Sequence, residues 1–130
     1  MTSVAKGTVT RLLASVGKAC MEYQDVILRE LPCKQIQCDE IWSFCYAKDK
    51  NVPEKYKGKF GFGDIWTWTA IDAETKLVPS WLIGFRDASH AYRFMKDLKN
   101  RLANRIQLTT DGHSSYLWAV ENVFGSEIDY

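Results

Sequence analysis

The sequence predicts a mixed α/β fold: three antiparallel strands, a helix, a fourth strand beside the first and a further helix, with an N-terminal helix ahead of them. Three observations carry this. Runs rich in β-branched and aromatic residues recur at 35–46, 64–71 and 77–85, separated by turn-forming stretches. Apolar residues at three- and four-residue intervals mark helices on either side of that meander. Between the last two helices stands a short extended run, 105–110, and consecutive elements of this kind usually return to one sheet.

A chain of 130 residues that is 46% hydrophobic suits one domain with a real core. Net charge is +1, so any argument for an anionic partner rests on local charge. Cys20, Cys33, Cys38 and Cys45 form no paired CxxC pattern and follow no secretory leader, which reads as reduced, mostly buried thiols in a cytoplasmic protein. A zinc site from Cys33, Cys38 and Cys45 is disfavoured, because Cys38 and Cys45 fall on opposite faces of one strand. No apolar run approaches the roughly 20 residues needed to span a bilayer, so no membrane partner is expected.

Residues 1–31 read as an N-terminal helical segment, with Val9, Leu12, Val16, Ala19, Tyr23 and Ile27 in one apolar stripe. Lys6, Arg11 and Lys18 are the only charges in its first twenty residues. Residues 3–13 look like the turn and recognition helix of a helix-turn-helix, in which Lys6, Thr8 and Arg11 would meet phosphates and base edges. The competing reading is a basic amphipathic helix packed on the domain.

From residue 32 the chain reads as the main domain, 32–130. Strand one alternates Ile36, Cys38, Glu40, Trp42, Phe44 and Tyr46 on one face with Gln37, Asp39, Ile41, Ser43 and Cys45 on the other. Two adjacent acids in so apolar a strand are costly to bury unless solvated, paired or metal-bound. Residues 48–63 form a turn-rich loop with five lysines against Asp49 and Glu54. Lys55 and Lys57 in it are candidates for nucleic-acid contact, and a solvated hairpin loop is the alternative. Strands two and three follow, joined by the turn 72–76, with Pro79 marking an edge or bulge. A helix over 88–104 buries Ala91, Phe94, Met95, Leu98 and Leu102, capped by Asp87 or Ser89. The last helix, about 114–124, puts Leu117, Trp118, Val120 and Val123 inward, and Ile128 opens another extended segment. The five tryptophans are expected in the core rather than as base-stacking platforms.

Asp39 lies mid-strand and Asp111 at the tip of strand four, so pairing of strands one and four makes the two carboxylates converge. Converging carboxylates call for a cation, and hard oxygen ligands suit Mg²⁺ or Mn²⁺ in phosphodiester chemistry. Without metal, Asp111 reads as a helix cap and Asp39 as half of a surface pair. Glu40 could lend a metal ligand next to Asp39, but adjacent strand residues point to opposite faces, so it is expected to pair with a lysine or to meet solvent. His113 orients a phosphate or water, or is simply a hydrogen-bonded neighbour.

The strings Cys38-Asp-Glu-Ile-Trp-Ser-Phe44, Asp64-Ile-Trp-Thr-Trp-Thr-Ala-Ile-Asp72 and Thr109-Thr-Asp-Gly-His-Ser-Ser-Tyr116 resemble the DDE transposases of bacterial insertion sequences, notably the insertion-sequence-one-like group. The resemblance runs over nearly the whole chain. It implies a ribonuclease H-like fold, with Asp39 and Asp111 as the first two catalytic, metal-binding acids and His113 matching a histidine found in many relatives. It also implies Mg²⁺ or Mn²⁺, with a two-metal site in the complete protein. The implied partners are double-stranded DNA (transposon ends and target) and further copies of the chain in a homo-oligomer. The family's third acid, a glutamate on a later helix, is expected beyond Tyr130, since Glu121 and Glu127 sit too close to Asp111 and in no matching motif. The family's zinc-binding N-terminal segment has no counterpart here. The expectation is therefore a truncated catalytic domain, inactive in metal-dependent strand cleavage and transfer as an isolated chain. The alternatives are a non-catalytic DNA-binding protein, a degenerate remnant and a ribonuclease H-like nuclease of another kind.

Overall fold

The computed structural model describes residues 3–130, so the first two residues of the predicted N-terminal helical segment lie outside the described residues. Seven principal elements follow in order: α1 (Lys6–Ile27), β1 (Gln35–Cys45), β2 (Gly63–Asp72), β3 (Ser80–Gly84), α2 (Ala88–Lys99), β4 (Gln107–Thr109) and α3 (Ser114–Phe124). The sheet order is β3-β2-β1-β4, with β1–β2 and β2–β3 antiparallel and β4 parallel to β1. This is the mixed sheet expected of a ribonuclease H-like fold. Two predicted elements are shorter than the sequence pattern suggests. Strand three begins only at Ser80, after Pro79, which has no N–H to give a ladder. The helix over 88–104 stops at Lys99, and Leu102 instead bridges to Leu31. The extended segment foreseen at Ile128 exists as a parallel bridge between Asp129 and Gln107 on the outer edge of β4.

One face of the sheet is covered by α2 and α3. Ile36 and Cys38 of β1, Trp68 and Ala70 of β2 and Leu108 of β4 pack there against Ala91, Phe94, Met95 and Leu98 of α2 and Tyr116, Ala119, Val120 and Phe124 of α3. The Trp68 ring meets Tyr116 edge-on at 5.4 Å and Phe94 tilted at 6.0 Å. Asp87 caps α2 as anticipated, its carboxylate accepting the His90 N–H at 2.9 Å. In α3 the inward positions differ from the expected set. Tyr116, Ala119, Val120 and Phe124 are buried in the core shared with the sheet and α2, whereas Leu117 and Trp118 are exposed. Of the five tryptophans only Trp68 is fully buried; Trp42, Trp81 and Trp118 are exposed. The cysteines divide as well: Cys33 and Cys38 are buried, Cys20 and Cys45 exposed.

α1 has no buried residue, which overturns the reading of it as a helix packed along the domain. Its apolar residues Val9, Leu12, Val16 and Tyr23 are all exposed. Only its C-terminal end is tied down. Gln24 accepts from the Trp81 indole N–H at 2.7 Å and donates to the Val78 carbonyl at 2.9 Å, and Asp25 pairs with Arg101 at 2.9 Å. Arg101 is itself gripped by Asp97 through Nε at 2.8 Å and Nη2 at 3.0 Å, a fork that locks the junction of α1, β3 and α2.

Candidate functional site

The geometry of the site follows from how short β4 is. It pairs with β1 only at Gln35, Ile36 and Gln37, so beyond Gln37 the β4 side of β1 has no strand partner. The chain leaving β4 turns away through Thr110, Asp111, Gly112 and His113. Gly112 has φ +81, a left-handed conformation that a side chain would strain, and it lets the chain turn directly after the acid. An opening at the carboxyl end of a parallel strand is where α/β sheets place their chemistry.

Three carboxylates gather there. Asp39, Glu40 and Asp111 each offer an oxygen, and these oxygens lie within 4.8 Å of one another. Asp39 and Asp111 are brought together as the sequence predicted. Glu40 contradicts its expectation: it is buried, neither exposed nor lysine-paired, and its partner is Arg86 at 3.3 Å. The alternation rule does put Glu40 inward, beside Ile36 and Cys38. It does not separate the two carboxylates, because the free strand edge lets Asp39 curl back, its Oδ1 accepting the Glu40 N–H at 2.8 Å. On the Asp39 side the acids border a depression of about 350 Å³ lined by Gln37, Thr69, Ile71, Thr109 and Thr110.

Arg86 also reaches the acids, a contact that the sequence did not foretell. Its Nη2 donates to Glu40 Oε2 at 3.3 Å and to Asp111 Oδ2 at 3.2 Å, and its guanidinium carbon lies 4.7 Å from the Trp66 ring centroid. The available signal was its position, at the end of strand three and directly before a helix-capping aspartate.

Burial raises the Glu40 carboxyl above its usual range and the nearby Asp111 charge raises it further, while Arg86 opposes both. Glu40 Oε1 is buried with no hydrogen-bond partner. The Tyr116 hydroxyl is likewise buried and unpartnered, and burial pushes its ionisation far up, so it stays neutral. Burial also pushes the Cys38 thiol well up, which makes it an inert core group rather than a thiolate ligand. His113 caps α3, its Nδ1 accepting from the Ser115 N–H at 3.3 Å, and its own N–H donates to Asp111 Oδ1 at 3.0 Å. Asp111 therefore orients the chain entering α3, although His113 supplies the cap.

The donor set suits a hard divalent cation: three carboxylates, no thiolate, and a buried orphan oxygen on Glu40 that lacks a partner. Glu121 and Glu127 belong to no such group among the described residues; Glu127 pairs with Lys99 at 2.5 Å. The candidate DNA contacts stand apart from the acids. Lys6, Thr8 and Arg11 are exposed on the first turns of α1. Lys55 and Lys57 lie in and after a 3₁₀ turn, Glu54–Tyr56, where Lys55 Nζ sits 4.6 Å over the Tyr56 ring and Lys57 pairs with Glu54 at 2.8 Å. That loop is organised by aromatics, Tyr56 stacking on Phe62 at 4.5 Å.

A sequence-family model described as a DDE domain matches residues 54–130, more than half of the chain, and spans Arg86 and Asp111. Asp39 and Glu40 precede the matched segment. No curated protein matches the chain.

Proposed function

The chain belongs to the DDE domain family of insertion-sequence transposases, and from that premise we propose that Asp39 and Asp111 are the first two acids of a metal-dependent centre for DNA strand cleavage and transfer. The observation that carries this is the convergence of Asp39, Glu40 and Asp111 oxygens within 4.8 Å at the open edge of β1. The specific strings around Asp39 and Asp111 support placement in the insertion-sequence-one-like branch.

Asp39, Asp111 and Glu40 would hold Mg²⁺ or Mn²⁺. When bound, such an ion lowers the pKa of a coordinated water or 3′-hydroxyl and stabilises charge on the phosphodiester. The protein's own part is to fix the carboxylates. Asp39 is oriented by the Glu40 amide and Asp111 by the His113 amide, each through its Oδ1. Cleavage adds water to phosphorus and releases a 3′-hydroxyl. In transfer that hydroxyl attacks a target phosphodiester and expels another 3′-oxygen.

Duplex DNA, at element ends and target, is the proposed substrate. Lys6, Thr8 and Arg11 on exposed α1, with Lys55 and Lys57 on the aromatic loop, are its proposed phosphate and base contacts. Joining two ends calls for more than one active site, which supports a homo-oligomer. We further propose that these 130 residues alone do not complete transfer, since the resemblance requires a third acid and neither Glu121 nor Glu127 joins the cluster.

The test is a nicking assay on plasmid carrying inverted-repeat ends, with Mg²⁺ or Mn²⁺, alongside Mn²⁺ titration. Mn²⁺ uptake lost in Asp39→Ala and Asp111→Ala, without robust nicking, is the expected result. Robust nicking abolished by Asp39→Ala overturns the inactivity. Mn²⁺ uptake unchanged by both substitutions overturns the centre.

A further inference from the structure

We propose that Arg86 is the resident counter-ion of the carboxylate centre, holding Glu40 and Asp111 when no metal is bound and competing with a divalent cation for them. This rests on the metal-centre reading of Asp39, Glu40 and Asp111.

Two arginines in this protein pair with two acids each, and they do so differently. Arg101 is nearly buried and forks onto Asp97 through two nitrogens, at 2.8 and 3.0 Å, with Asp25 at 2.9 Å. Arg86 uses one nitrogen, Nη2, for both carboxylates, at 3.2 and 3.3 Å. Charge-assisted N–H···O bonds usually run about 2.7–2.9 Å. The Arg101 contacts are those of a structural clamp, whereas the Arg86 contacts are long, single-pronged and displaceable.

The placement of Arg86 is nevertheless built in. The buried Trp68 indole N–H donates to the Phe85 carbonyl at 3.2 Å, which fixes the residue before it. Asp87, the residue after it, caps α2. A Cβ on Gly84 would strike the His90 ring, so the strand-to-helix corner is closed tightly around this point. The guanidinium is then steered over the acids by Trp66. Its side chain is 32% exposed while that of Glu40 is 1% exposed. Arg86 therefore has solvent to move into, and Glu40 does not. Removing the guanidinium leaves a buried carboxylate facing Asp39 and Asp111 without its ion-pair partner, and such a cluster takes up a divalent ion more strongly.

The experiment titrates Mn²⁺ into the 130-residue protein and follows the free-ion signal by electron paramagnetic resonance, for wild type, Arg86→Gln and Trp66→Leu. Arg86→Gln is expected to bind Mn²⁺ on the order of tenfold more tightly than wild type, as for removal of one partly screened competing charge. Trp66→Leu, which keeps the charge but removes the stack that steers it, is expected to shift the same way by a smaller factor. Circular dichroism reports folding, and should Arg86→Gln fail to fold, Trp66→Leu alone decides. Affinity equal to or weaker than wild type in the folded variants overturns the competing role and leaves the metal centre standing. Absence of Mn²⁺ uptake by wild type and variants alike overturns the centre, and the role of Arg86 with it.

Discussion

The two halves of β1 share one alternation and end in opposite environments. In the first half Ile36, Cys38 and Glu40 are buried; in the second, Trp42 and Phe44, on the same face, are exposed. The pattern of side-chain types does not foretell this, since the charged Glu40 is buried while the aromatic Trp42 and Phe44 are exposed. What differs is coverage. The first half lies under α2 and α3 and has β4 on one flank, while the second pairs with β2 alone. The acids sit at this boundary. Burial there is deep enough to keep Glu40 from water, and the edge is open enough for Asp39 and Asp111 to meet it. A strand's periodicity assigns faces, and only the neighbours decide what a face costs.

The largest test of the contrast pairs Ile36→Ala with Phe44→Ala in urea denaturation. Ile36, fully buried, should cost about 2–5 kcal/mol, and Phe44 about 1 kcal/mol or less. Equal losses would show that the exposed half is covered in solution. Next, Cys38→Ser places a hydroxyl in the apolar core and should cost about 1–3 kcal/mol, whereas exposed Cys45→Ser should stay within about 0.5 kcal/mol of wild type by the same measurement.

Asp87→Ala removes the cap of the helix that covers the first half and should cost about 1 kcal/mol. Although partial burial works against it, hydrogen bonds from the His90 N–H and ring hold the Asp87 carboxyl at about 2. Because the folded value is depressed, its contribution is present above the unfolded value of about 3.9 and is lost as pH falls toward 2. Thermal melts of wild type and Asp87→Ala should therefore converge as the pH is lowered through that window.

The smallest effect is expected at the boundary itself. The Glu40 carboxyl is raised in the fold, so its ionisation costs stability as pH rises above the unfolded value of about 4.3. Glu40→Gln should stabilise the metal-free protein at neutral pH by up to about 1 kcal/mol, and the gain should vanish below about pH 4. A destabilised Glu40→Gln at neutral pH would mean that the Arg86 pair outweighs burial and the repulsion from Asp111.

Much of this architecture was legible. β1, β2 and α3 lie within a residue or two of where alternation and helical spacing put them, and Asp87 caps α2 because a short acid before an amphipathic run has few other uses. The failures share a cause. Leu117 and Trp118 carry apolar side chains at plausible inward positions, yet α3 is rotated so that Tyr116 and Ala119 are buried in their place. α1 has a clean apolar stripe, and nothing among the described residues covers it. Alternation sets Glu40 on the face opposite Asp39, and no sequence rule places an arginine 46 residues away beside it.

By itself, the sequence determined the kinds and order of the elements, the placing of Asp39 in mid-strand and of Asp111 at a strand tip, and the family strings around them. These are local properties: dihedral preference, periodicity and the polar residues that turns require. Only the tertiary structure decided that β4 stops pairing at Gln37, that Asp39 curls to Glu40 across the freed edge, and that Arg86 bridges Glu40 to Asp111. Those contacts join residues far apart in the chain, and their energies depend on solvent exclusion by helices packed from elsewhere. No window of sequence contains that information.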